Sequence, residues 1–297
     1  MQETLVRDFQ MDKKYSQEEL ISNIKALGIN SGDTVFVRAG LRKINSEGRS
    51  TFLDALLEVV GKEGTVLTLS FNEHNYWPFF NENNVFTVDG PTTAGSFPKQ
   101  IINHPNGKRS LHPTCSYAAI GKNAELILKN HDENATSYLP IKRLIDLNGK
   151  MLLTGCLEES PGFTTVHYVQ EILGLSKKSI LKNLSGIYYF KDGEKKKFFR
   201  KDIGGCSLGF GAFYQHYINK GYMSHGMIGD AHSIIVGAKE AFETELSIMK
   251  KQPTYALCRN PQCTMCRATW TYNKKEMLSF IIFELPRKIL KRIFKLK

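Results

Sequence analysis

The chain holds 297 residues, 41% hydrophobic and 23% charged, with 40 Lys+Arg against 29 Asp+Glu and a formal net charge of +11. That apolar content fills a substantial core and excludes an intrinsically disordered chain, and the length corresponds to one large domain or two small ones. No run reaches the roughly 20 apolar residues of a membrane-spanning helix, and the opening MQETLVRDFQ carries no apolar leader, so a cytoplasmic protein is expected. Six cysteines in such a chain suit a reducing compartment, where clustered thiols hold metal more often than they form disulfides.

In chain order, Ser16 with Glu19 three residues later forms a capping box for a helix through Leu27. Thr34-Val35-Phe36-Val37 reads as a buried strand. Ser50-Thr51 opens a helix with Phe52, Leu56, Val59 and Val60 on one face and Gly61 as its stop. A second buried strand follows at Thr65 to Leu69. Residues 72–108 are aromatic-rich and turn-rich, and a connection of that length serves either a functional loop or ordinary packing. Ala118 to Asn130 is predicted helical, Met151 to Thr154 a strand, and Thr164 or Thr165 the cap of a helix through Leu175. A last core helix covers residues 237–250. Alternation of strand and helix predicts an α/β domain with a mainly parallel sheet.

The charge is uneven. Residues 276–297 and the run Lys191 to Lys201 each hold six basic and two acidic residues. Asp192-Gly193 marks a hairpin turn inside the second run, which is either a solvated surface or a contact for an anionic partner. No helix-turn-helix punctuation, RNA-recognition aromatic signature or paired Cys/His finger accompanies the charge, so no nucleic-acid partner is expected.

Two segments carry chemistry-bearing residues, RSLHPTCS at 109–116 and GCLEESPGFTTVHYVQE at 155–171. A lone histidine is most often a core residue. His167, however, falls in the first turns of a helix that follows a strand and a Gly/Pro loop, where α/β sheets place their sites. In order along the chain, GDTVFVRAGLRKI, TFLDALLEVVGKEGTVLTLSF, RSLHPTCSYAAIGKNAE, KRLIDLNGKMLLTGC, TTVHYVQE and GMIGDAHSIIVGAKEAF resemble the aminoglycoside 3-N-acetyltransferase family from about residue 30 to about 255.

The resemblance implies a three-layer α/β/α fold and an acyl-CoA-dependent N-acyltransferase with acetyl-CoA or another acyl-CoA as co-substrate. It implies an acyltransferase domain at 1–255, followed by a Cys-containing basic extension at 256–297. It implies His167 as general base, Arg109, Ser110, His112 and Ser116 on the coenzyme side of the cleft, and Leu41 and Arg42 in a loop approaching the coenzyme. The family usually has a Glu three residues after the His. This chain has Gln170 there and Glu171 one place on, and either position shares a helix face with His167.

The chemistry fits those residue types. A sugar amine is mostly protonated at neutral pH, and a neutral imidazole can accept its proton during attack on a thioester. Cys115 and Cys156 are the alternative, as nucleophiles of a two-step route, or else small core residues. A chain of net charge +11 suits a polycationic acceptor poorly, so a nucleotide-linked amino sugar of surface-polysaccharide synthesis is the expected acceptor, with an aminoglycoside as the alternative. A non-catalytic binding protein on the same fold is a further alternative, and homo-oligomers are compatible with the sequence.

Cys258, Cys263 and Cys266 form a tight thiol cluster that lacks a fourth ligand nearby. Cys206, His216, His225 or His232 could complete a structural Zn site, and unliganded thiols are the alternative. Beyond them, residues 287–297 set Ile289, Leu290, Ile293, Phe294 and Leu296 against six Lys and Arg. That pattern suits either peripheral contact with an anionic membrane or a packing helix.

Overall fold

A computed structural model describes residues 13–73, 75–76, 80–175, 177, 184–200, 205–269 and 274–293. Its centre is a seven-stranded mixed sheet built from β1 (Thr34–Ala39), β2 (Thr65–Leu69), β5 (Lys108–Arg109), β6 (Tyr117–Gly121), β7 (Lys150–Thr154), β10 (Met223–Ile228) and β11 (Ala231–Gly237), in the order β10-β11-β7-β1-β2-β6-β5. The three central strands β7, β1 and β2 run parallel. The flanking pairs are antiparallel.

Both faces of the central strands β1, β2 and β7 are buried, so they read as continuous apolar runs with period-two sorting. Val35, Val37, Val66 and Leu152 point to one core with α1 (Gln17–Ala26), α3 (Thr51–Val60) and α4 (Ser96–Asn103). Phe36, Leu67, Met151 and Leu153 point to the other, with α5 (Ala124–Leu128), α6 (Leu139–Asp146), α7 (Thr165–Ile172), α8 (Tyr214–Asn219) and α9 (Ala238–Lys251). This is the expected three-layer α/β/α arrangement. The Ser16 capping box forms as read, with Ser16 accepting from Glu19 N–H and the Glu19 carboxylate accepting from Ser16 N–H.

A small second sheet joins β3 (Asn75–Tyr76), β4 (Val85–Phe86), β8 (Ser185–Lys191) and β9 (Glu194–Phe199). The hairpin at Asp192-Gly193 is present, with φ of 56° and 78°, the positive pair that a tight two-residue turn demands.

Two elements differ from the sequence reading. Ala118–Ile120 is strand, not helix, because Ala118 and Ala119 pair with Thr68 and Leu67 of β2; helix starts only at Ala124. Within the long connection, α4 buries Phe97 and Ile101 at helical spacing behind Gly95. At the C-terminal end, Ala256, Cys258 and Cys266 are buried in the same core as α7 and α9, so packing runs on past residue 255. There follow α10 (Lys274–Ser279), a π-type turn at Phe280–Glu284 and α11 (Leu285–Ile293). Phe280 packs inward, while Leu278, Ile281, Ile282, Phe283 and Leu290 are exposed. Phe294 to Lys297 of the basic tail lie outside the described residues.

Candidate active site

The parallel strands β1 and β7 end side by side. There the backbone approach is so close that a Cβ on Gly40 would sit 2.3 Å from the Gly155 carbonyl oxygen. Arg38, near the end of β1, turns its guanidinium to the 160–162 loop and donates to the carbonyls of Gly162 and Ser160, each at 2.9 Å, and to Ser160 Oγ. Burial lowers the Arg38 pKa. Gly162, at φ 75°, meets Phe210 so closely that a Cβ would lie 2.1 Å from Phe210 Cβ, and its N–H donates to Tyr214 Oη at 2.6 Å. That loop delivers the chain to α7, whose first turn carries His167.

His167 lies on the wall of a cleft of about 430 Å³, shared with Arg38, Leu69, Thr114, Tyr138 and Arg200. Its ring stacks on Tyr138, centroids 5.3 Å apart, and takes the edge of Phe210 at 4.7 Å. Nδ1 and Gln170 Oε1 are 2.9 Å apart. An amide oxygen only accepts, so Nδ1 carries the proton and the lone pair falls on Nε2. Burial holds the imidazole down to about 4, partly offset by the Gln170 bond, with Arg38 and Arg200 adding to the depression. At neutral pH His167 is therefore uncharged. Gln170, not Glu171, supplies the Nδ1 partner. Burial raises the phenols of Tyr168 and Tyr117, and the charge of Glu171 adds to both.

The 109–116 segment is placed differently from the sequence expectation. It forms the β5–β6 connection, and Thr114 and Cys115, not its most recognisable residues, line the cleft. Arg109 is a buried clamp. It donates to Ser116 Oγ at 3.0 Å, to the carbonyls of Ser70 and Gly90 at 2.8 Å each and to Asn72 Oδ1. All three guanidinium nitrogens are thus spent on the protein, and burial lowers its pKa to about 10. Ser110 accepts from Tyr117 N–H at 2.9 Å and lies 2.8 Å from His131 Nδ1. His112 accepts from Cys115 N–H at 3.1 Å and stacks on His131 at 4.9 Å. Ser116 Oγ donates to the Ser70 carbonyl at 2.7 Å. Arg109, Ser110, His112 and Ser116 are absent from the described cleft lining because these internal partners hold them in the core.

Leu41 and Arg42, by contrast, lie on a second cavity of about 740 Å³, with Lys14, Arg49, Lys99 and Glu47. They begin α2 (Leu41–Ile44) directly after β1, three residues from Arg38 of the first cleft. Cys156 donates its thiol to the Arg38 carbonyl at 3.6 Å, and burial raises its pKa, so it is a packed thiol and not an activated one. Sequence reasoning missed Arg38 in β1, Tyr138 just before α6 and Arg200 just after β9, three distant segments with no motif to connect them.

The arrangement is a neutral histidine fixed in one tautomer on a helix that follows the end of parallel strands, with a second cavity lined by Lys14, Arg42, Arg49 and Lys99. Residues 36–250 match the family described as aminoglycoside 3-N-acetyltransferase. The chain belongs to this family. Aminoglycoside N(3)-acetyltransferase III of Salmonella sp is 28% identical over 185 residues, a stretch covering 55% of this chain and 63% of that protein. The matched part thus spans less than two thirds of this acetyltransferase. Among solved structures, a mutant aminoglycoside acetyltransferase AAC(3)-IVa in complex with a gentamicin superposes with a TM-score of 0.74 at 22% identity, covering 89% of this chain and all of the other. AAC-IIIb in a binary complex with CoASH gives 0.70 at 20% identity over 81% of this chain and 98% of that one. These two share the acetyltransferase fold.

Proposed function

We propose that this chain is an acetyl-CoA-dependent N-acetyltransferase acting on an amino group of an aminoglycoside, with His167 as general base. The observation that carries the reading is the His167–Gln170 pair on the cleft wall, which leaves the Nε2 lone pair as the ring's acceptor. A base held near 4 does not deprotonate a free ammonium ion. It takes the proton as the nitrogen bonds to the thioester carbon, when that nitrogen becomes strongly acidic. The free-base fraction of the amine attacks with its lone pair to form the C–N bond, and the tetrahedral intermediate collapses with cleavage of the C–S bond. The His167 imidazolium passes the proton taken from nitrogen to the departing sulfur, so coenzyme A leaves as the thiol and the histidine is neutral again. Leu41 and Arg42, with Lys14, Arg49 and Lys99, offer the coenzyme's phosphates a basic groove.

The comparisons support an aminoglycoside acceptor better than the nucleotide-linked amino sugar expected from net charge, since the related proteins are aminoglycoside acetyltransferases and one solved relative holds a gentamicin. One observation favours the nucleotide sugar: the described lining of the His167 cleft includes Arg38 and Arg200 and no carboxylate. Release of coenzyme A from acetyl-CoA, measured with kanamycin and with a nucleotide-linked 4-amino sugar, separates the two. A higher kcat/KM for kanamycin is expected, the reverse order selects the nucleotide sugar, and no release with either overturns the enzymatic reading. Peripheral membrane contact rests on the basic residues of the tail and its exposed apolar ones, Leu278, Ile281, Ile282, Phe283 and Leu290. Among the described residues no helix is long and apolar enough to cross a membrane.

A further inference from the structure

The cysteines of the C-terminal extension do not stand alone. Cys206, on the loop before α8, joins Cys258, Cys263 and Cys266, and all four Sγ atoms lie within 4.8 Å of one another. A tetrahedral zinc site with Zn–S of about 2.3 Å sets its sulfurs about 3.8 Å apart, so this cluster needs only a small contraction to close on an ion. Its immediate surroundings resemble those that support thiolate ligands. The Cys258 N–H points at Cys266 Sγ at 3.4 Å, Arg267 donates to the Cys258 carbonyl at 2.9 Å, and Asn260 accepts from Cys263 N–H at 3.1 Å.

The segments that meet here are irregular. Residues 252–263 have neither helix nor strand, yet Cys258 and Cys266 are buried against the main core. Packing between the two segments is tight, since a Cβ on Gly205 would lie 2.8 Å from Met265 Cε. Four soft sulfur ligands gathered from two segments of the chain are the donor set of a structural divalent ion.

We propose that Cys206, Cys258, Cys263 and Cys266 bind one zinc ion, which ties the C-terminal extension to the loop at 205–207. The consequence reaches the active site. Gly205, Cys206, Ser207 and Met265 line the same cleft as His167, so the ion fixes one wall of that cleft from behind. Binding converts thiols to thiolates and releases their protons, so affinity falls with falling pH.

The test is metal analysis of the full chain after dialysis against metal-free buffer. One zinc per chain is expected, with Cys206→Ser and Cys263→Ser each losing it and Cys156→Ser, outside the cluster, retaining it. Should the serine variants fail to fold, cobalt substitution of the unaltered protein decides, because a cobalt tetrathiolate gives intense visible absorption and sulfur-to-metal charge transfer. Zinc well below one per chain, stoichiometric zinc in Cys206→Ser, or a disulfide among these four cysteines would overturn the assignment. Each readout is independent of acetyl transfer.

Discussion

His167 on α7 and His112 in the β5–β6 connection come from the two most recognisable segments of the chain, and burial lowers the pKa of both. Their surroundings then diverge. His112 is 1% exposed, accepts a backbone N–H on Nδ1 and stacks in a closed group with His131 and Phe198. His167 donates from Nδ1 to a side chain one helical turn away and lies on an open wall. The difference teaches that a depressed histidine pKa locates a dry site without saying whether that site is for reaction or for packing. What decides is which ring nitrogen the protein has already used and what lies in front of the other.

The sharpest way to break this contrast is a pair of alanine variants. His167→Ala is expected to lower the rate of coenzyme A release by about 10²–10⁴ while costing only about 1 kcal/mol of stability. His112→Ala is expected to do the opposite. It removes a buried ring and leaves the Cys115 N–H without its acceptor, so denaturant unfolding should show a loss of about 3 kcal/mol, with turnover of the folded fraction largely kept. Full activity in His167→Ala would remove the base, and a rate collapse in a stably folded His112→Ala would move the chemistry to the other segment.

A smaller effect tests the partner on Nδ1. Above a pKa of about 4 His167 is neutral, so the base's own acid limb lies near that value, below the separate fall that protonation of the acceptor amine causes at higher pH. Gln170→Glu places a carboxylate against the Nδ1 proton and stabilises the imidazolium. The acid limb of log kcat/KM should therefore move up by roughly 1–3 pH units. A limb that stays in place would mean that Gln170 does not tune the base.

The layers of the fold were legible in the sequence because strands buried on both faces and capped helices advertise themselves locally. Ser16 with Glu19, Thr51 to Gly61 and Asp192-Gly193 are each decided within a few residues. Ala118 to Ile120 was not, since alanines favour helix on their own and become strand only beside β2, from far along the chain. The site divided in the same way. His167 could be found from a strand, a loop and a helix start in sequence. The clamp role of Arg109 could not, because its acceptors on Ser70, Asn72 and Gly90 meet it only after folding. Cys206 became the fourth member of its cluster for the same reason.

The mildest variant concerns what holds α7 in place behind His167. Glu245 on α9 accepts from Thr165 Oγ1 at 2.7 Å and from Tyr217 Oη at 2.6 Å, both on Oε1, while its buried Oε2 has no hydrogen-bond partner among the described residues. Burial raises this carboxyl from 4.5 to about 8, so the folded chain holds a proton there that the unfolded chain has already lost. The stabilisation is whole below about pH 4.5 and is lost as pH rises to about 8. His131, held down to about 4 by burial, tilts stability the other way, upward between about 4 and 6.5, so the carboxyl's own slope is clearest from pH 6.5 to 8. Glu245→Gln keeps the oxygen that Thr165 and Tyr217 donate to and carries no charge to expel. It should match the parent near pH 5, exceed its stability by roughly 2–4 kcal/mol at pH 8 and leave acetyl transfer at pH 7 nearly unchanged. A parallel decline of both proteins above pH 6.5 would show that Glu245 is ionised in the fold and that α7 is anchored by a buried charge.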